Sequence, residues 1–136
     1  MQPRGNTQED YLLRIIRQAA ELLRQLRRRL LGGEASADDV RREAATAIEF
    51  LLGSQAPVLA MLDPGSAVRL VGHPALVELW AALLDVEADA GEASGEVSGE
   101  PALAARRRAR AIALRAAARE LWGATNPDDA AEGARE

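Results

Sequence analysis

Two arginine runs, Arg27-Arg28-Arg29 and Arg106-Arg107-Arg108 with Arg110, are the densest chemistry in the chain. Clustered guanidinium groups neutralise phosphates, so these seven residues are the candidate anion contacts of a nucleic-acid or anionic-surface binder. Two facts weigh against that role. Successive helical residues point about 100° apart, so a run of three does not form one patch, and the sequence pI is about 5.1 with a net charge of −4. All 17 basic residues are arginine, a bias that matches GC-rich codon usage and lowers the functional weight of arginine identity.

His73 is the single histidine and the one conventional general base near neutral pH. It stands between Gly72 and Pro74, where a helix starts, with no serine or acid at a triad spacing, so its expected role is structural; an enzymatic alternative would rest on His73 with Asp63. One histidine and no cysteine exclude thiolate catalysis, the usual zinc sites and the paired Glu-x-x-His motifs of a di-iron bundle within one chain. Asp85-x-Glu87-x-Asp89-x-Gly91 with Glu96 copies the ligand spacing of an EF-hand loop, but Ala90 occupies the position that needs glycine. These acids are expected at a solvated helix end. No catalytic, metal or cofactor residue is assigned, and the chain is expected not to be an enzyme.

The elements around these residues read as helices. The chain has 136 residues, rich in alanine and leucine, and its aromatics are Tyr11, Phe50, Trp80 and Trp122. Propensity therefore favours an all-α fold, a single-domain bundle of about five helices in antiparallel hairpins. The four aromatics are expected to be core fillers rather than the lining of a ligand pocket.

The first helix spans residues 8 to 31, capped by Asn6 or Thr7 and stopped by Gly32-Gly33. Its apolar stripe is Leu12, Ile16, Ala19, Leu23, Leu26 and Leu30, flanked by Ile15 and Leu22. This stripe is broader than one neighbouring helix covers, and all eight residues form the candidate partner interface. Ser36-x-x-Asp39 opens a second helix through Val40, Ala44, Ala47, Ile48, Leu51 and Leu52. A short third helix precedes Asp63-Pro64, and the helix after Pro74 carries Leu76, Leu79, Trp80, Leu83 and Val86 before fading near Ala90-Gly91. In the last helix, after Pro101, the inward face is expected at Ala105, Ala109, Ile112, Ala113, Ala116 and Ala117, anchored by Leu121 and Trp122.

The domain is placed at residues 7–123, with a disordered start at 1–6, a flexible Gly/Ser/Glu loop at 91–100 and a frayed polar tail at 124–136. Net charge alternates along the chain: +4 over residues 1–33, −10 over 34–101, +5 over 102–121 and −3 beyond. Basic first and last helices are expected to complement the acidic middle within one domain. The first ten residues carry no apolar h-region, and no apolar stretch is expected to approach the ~20 residues that span a bilayer. Membrane association is not expected, and the expected location is cytoplasmic.

The opening Gln8-Glu9-Asp10-Tyr11-Leu12-Leu13-Arg14-Ile15-Ile16-Arg17, leading into an amphipathic helix and a glycine stop, resembles the start of a family of small uncharacterised bacterial proteins, domain of unknown function 6483. The likeness covers about the first 25 residues, is carried by Asp10, Tyr11 and Arg14, and implies no activity. The order Trp80, Gly91, Ala113-Leu114, Pro127 is also similar to a tetratricopeptide helical hairpin, although the ten-residue loop breaks the 34-residue period. The expected function is a non-enzymatic helical protein–protein interaction or scaffold module, with homodimerisation as its concrete form.

Overall fold

A computed structural model describes residues 4–33, 36–94 and 101–123. The expected tail at 124–136 and most of the expected loop lie outside them. The described residues form six α-helices and no strand: α1 (Arg4–Gly32), α2 (Ala37–Leu52), α3 (Ala56–Met61), α4 (Pro64–Val71), α5 (Pro74–Ser94) and α6 (Pro101–Trp122), with a short 3-10 turn at Gly53–Gln55 before α3. The all-α class is as expected.

The junctions have local causes. Ser36 caps α2, its Oγ accepting from the Asp39 N–H at 3.0 Å, and Asp63 caps α4, Oδ2 accepting from the Ser66 N–H at 3.0 Å with Pro64 preset at the first helical position. Gly72 ends α4 at φ +75°, a left-handed conformation that side chains with a Cβ resist, and its N–H reaches Val68 O. Gly53 turns the chain at φ +66° and ψ −147° between α2 and the 3-10 turn.

Helix α5 is the central element. Val77, Trp80, Ala81, Ala82, Leu83, Val86, Ala88, Ala90 and Gly91 are all buried on it, and it packs most extensively against α2 and α6, with α1 also alongside. The core closes with Ala19, Leu23 and Leu26 of α1, Val40, Ala44, Ala47 and Leu51 of α2, Leu59, Val68, Leu114 and Ala118. Such a helix, apolar around most of its circumference, is what an interior position requires.

Several expectations need correction. On α6 the buried residues are Ala104, Ala111, Leu114 and Ala118, while Ala105 and Ala109 are exposed and Ile112 is 66% exposed. The inward face thus lies nearly opposite the expected one at about 100° per residue, because α6 offers alanine on every side and only Leu114 fills the space beside α5. Tyr11 (63% exposed) and Phe50 (42% exposed) are not core fillers; Trp80 is buried and Trp122 packs against the core edge. Leu121 is itself exposed. Helix α1 begins at Arg4, ahead of the expected cap at Asn6 or Thr7 and inside the segment expected to be disordered. Helix α5 continues through a buried Gly91 to Ser94, so the first residues of the expected flexible loop are helical. Finally, Ala37–Met61, read through its turn, is long and apolar enough to cross a membrane by length and composition, contrary to the expectation that no stretch approaches that length. Glu49 is the only charge after Glu43 in that segment; α2 packs its Ala44, Ala47 and Leu51 face into the protein core, while only 22% of the apolar window is buried.

Candidate functional site

Helix α5 forms the floor of a groove whose walls are α2 with α3 on one side and α6 on the other. Three lines of side chains at helical spacing build it: Ala45, Ile48 and Leu52 from α2, Trp80, Leu84 and Glu87 from α5, and Leu103, Arg106, Arg107 and Arg110 from α6. The turn at Gly53 adds a fourth line, Ala56 and Ala60 of α3. The cavity measures about 470 Å³. A second hollow over Ile48, Ala56, Pro57 and Ala60 continues it along α3. Alanine lines much of the α2–α3 wall, and these short side chains leave the space open.

Arg110 occupies this groove. Its guanidinium carbon stands 5.5 Å from the Trp80 ring centroid, and Nη2 donates to the Leu59 carbonyl at 2.9 Å, which ties α6 to the end of α3. Burial pushes its pKa down, with the Asp63 charge acting in the opposite direction. Among the described residues Arg110 forms no ion pair. Its neighbour Arg107 pairs with Glu87 at 3.5 Å, both side chains being 13% exposed, and Arg106 is exposed at the rim.

The other sequence-expected arginines are placed differently. Arg29 makes a two-pronged contact with Glu43 at 2.7 and 2.8 Å, joining α1 to α2. Arg108 reaches both Asp89 and Glu92 at 2.6 Å, and Arg115, which was not among the expected contacts, reaches Glu78 at 3.1 Å and Asp85 at 2.8 Å. The acids of the EF-hand-like spacing are thus drawn along a continuous helix towards α6, the complementarity expected from the charge blocks. Among the described residues no group of three or more potential metal ligands gathers; Glu96 lies outside them. Arg27 and Arg28 are exposed, and Arg27 shares a hollow with Asp85, Asp89 and Arg108, where acids offset the positive charge.

His73 sits at the head of α5. Its Nδ1 accepts from the Ala75 N–H at 3.1 Å and its carbonyl accepts from the Val77 N–H at 3.2 Å, a capping role. Asp63 is engaged in its own cap.

The eight residues of the expected interface divide. Ala19, Leu23 and Leu26 are buried in the core, so they are not available to a partner; Ile15 and Leu30 pack partly against that core. Leu12 and Ile16 are half-buried and Leu22 is 37% exposed. Tyr11 and Leu13, which were not assigned, add exposed apolar surface to the same stretch of helix. The groove was also missed from sequence, although each of its lines has helical spacing, because only packing brings the four together.

The ion pairs give a pH dependence with a definite sign. Hydrogen bonding to Arg29 holds the Glu43 carboxyl below its ordinary pKa, Arg41 does so for Asp38, and Arg108 for Glu92. Ser66, through its side chain and its backbone N–H, lowers Asp63. A carboxyl whose folded pKa is depressed adds stability that is complete above its unfolded pKa and disappears as pH falls through the folded one. Thermal midpoints should therefore stay level from neutral pH to about 5 and then fall as pH drops below the ordinary carboxylate range near 4. A melting series from pH 7 to 2.5 checks this; a midpoint that rises on acidification would contradict it.

No family model, curated protein or solved structure matches the chain. The likeness of Gln8 to Arg17 to the uncharacterised bacterial family, and that of the α5–α6 hairpin to a tetratricopeptide, therefore rest on the residues that carry them.

Proposed function

We propose that this chain is a non-enzymatic helical protein–protein interaction module that pairs with a second copy of itself through the N-terminal half of α1. The observation that carries this reading is the mismatch between α1 and its cover. Helix α1 is 29 residues long against 16 in α2, and its first buried residue among those described is Ala19. The turns before Ala19 extend for about 20 Å at 1.5 Å per residue. They present Leu12, Ile16, Tyr11 and Leu13, an apolar set that the chain's own core leaves half open.

Charge order selects a second copy as the occupant. Glu9 and Asp10 precede Arg14 and Arg17 on this segment, and none of the four forms an ion pair among the described residues. Two such segments packed antiparallel across a twofold axis set the acids of each beside the arginines of the other. Helix faces this short bury less than the ~1,200 Å² of a standard interface, so the dimer belongs to the weak class.

Sedimentation velocity at high micromolar concentration tests the proposal. The full chain should sediment as a dimer and dissociate on dilution, and the double variant Leu12→Glu with Ile16→Glu should sediment as a monomer with its helical circular dichroism intact. A parent chain that stays monomeric throughout would remove this reading.

A further inference from the structure

We infer that the groove between α2–α3 and α6 is a binding site for a monoanionic amphiphile, an unbranched alkyl chain ending in a carboxylate. This goes beyond self-association, since no residue of α1 lines the groove.

Three observations converge on that chemistry. The floor and the α2–α3 wall are largely apolar: Ile48, Leu52, Ala56, Ala60, Trp80 and Leu84 offer an alkyl chain dispersion contact. The α6 wall is basic in an otherwise acidic protein, and with Glu87 already paired to Arg107 the charge to be matched belongs to Arg110. Its guanidinium uses Nη2 on a neutral carbonyl and forms no ion pair among the described residues, so further N–H groups of the fork remain for an oxygen pair. A carboxylate is planar and fits that fork edge-on in two-pronged fashion, with the guanidinium carbon 5.5 Å from the Trp80 ring centroid.

At about 470 Å³ the groove falls within the ~300–1,000 Å³ common for small-molecule sites. The hollow over Pro57 and Ala60 gives the tail somewhere to continue, away from the arginines.

Titration with decanoate, kept below its micelle concentration, tests the site in the full chain. A Trp122→Phe background leaves Trp80 as the sole tryptophan and its emission as the reporter. Decanoate should change that emission saturably with one molecule bound per chain, and decanol should bind at least about tenfold more weakly, since a hydrogen bond to a charged partner is the stronger kind. Arg110→Gln should weaken decanoate by about tenfold and leave decanol unchanged. Ala60→Phe, which fills the groove and keeps Arg110, should abolish both responses while thermal melting shows the fold retained. Absence of a saturable response, equal affinity for decanoate and decanol, or full binding by a folded Ala60→Phe protein each overturns the assignment. Saturable binding of an acidic amphipathic peptide without decanoate binding overturns it in favour of a helical partner. The Leu12→Glu, Ile16→Glu protein should bind decanoate as the parent does, so failure of the dimer and failure of the groove are told apart.

Discussion

Leu114→Ala should destabilise the protein by about 2–5 kcal/mol, while Ile112→Ala, two residues earlier on the same helix, should stay within about 0.5 kcal/mol of the parent. Leu114 is 0% exposed and Ile112 is 66% exposed. Truncating Leu114 removes its transfer free energy and leaves a void beside α5, where neighbouring alanines have no side chain with which to fill it. Ile112 already stands in water, and exchanging it for alanine slightly improves helix propensity. Urea unfolding of the two variants measures the contrast. Equal losses, or a larger loss at Ile112, would mean that α6 presents its other face to the core.

That pair of residues also shows where the sequence stops being readable. On α1 and α2 the large apolar residues occupy one stripe each, so spacing marks Leu23, Leu26, Val40 and Leu51 as stripe residues, and all four are buried, but spacing does not tell core from partner interface at Leu23 and Leu26. On α6 the candidates at every register are alanines, and two equally periodic faces compete. Charge on the neighbouring helix separates them. With Leu114 inward, Arg108 and Arg115 fall on one flank beside Asp89, Glu92, Glu78 and Asp85, and Leu103, Arg106 and Arg110 fall on the other flank, along the groove. Burial disfavours the Arg115 charge, and its hydrogen bonds to Glu78 and Asp85 together outweigh this, so its pKa is raised. The charge blocks announced that α6 would meet an acidic partner, but not which residues would be left over to face the groove. The groove has the same limit. Arg110 meets Trp80 across 30 positions and Leu59 across 51, distances in sequence over which periodicity carries no information.

Trp80→Ala is the second large effect, an expected loss of about 3–5 kcal/mol, the range for aromatic-to-alanine truncation in a core. Trp80 is 3% exposed and joins the core to the groove floor. Its removal withdraws a large apolar surface and the ring over which the Arg110 guanidinium rests, a contact of the kind worth about 0.5–2 kcal/mol. Domains of this size hold about 5–15 kcal/mol in total, so the variant should lie near the limit of folding and melt far below the parent. Two companions separate packing from the aromatic ring. Trp122→Ala, at the partly exposed edge of the core, should cost markedly less, because fewer of its contacts are buried on every side. Trp80→Phe keeps an aromatic face for Arg110 and most of the volume, so it should recover most of the stability lost in the alanine variant. Melting curves followed by far-ultraviolet circular dichroism rank the three. A Trp80→Ala protein that loses less than about 1 kcal/mol would place the indole outside the packed interior, and the groove would then lack the rigid floor on which Arg110 is held.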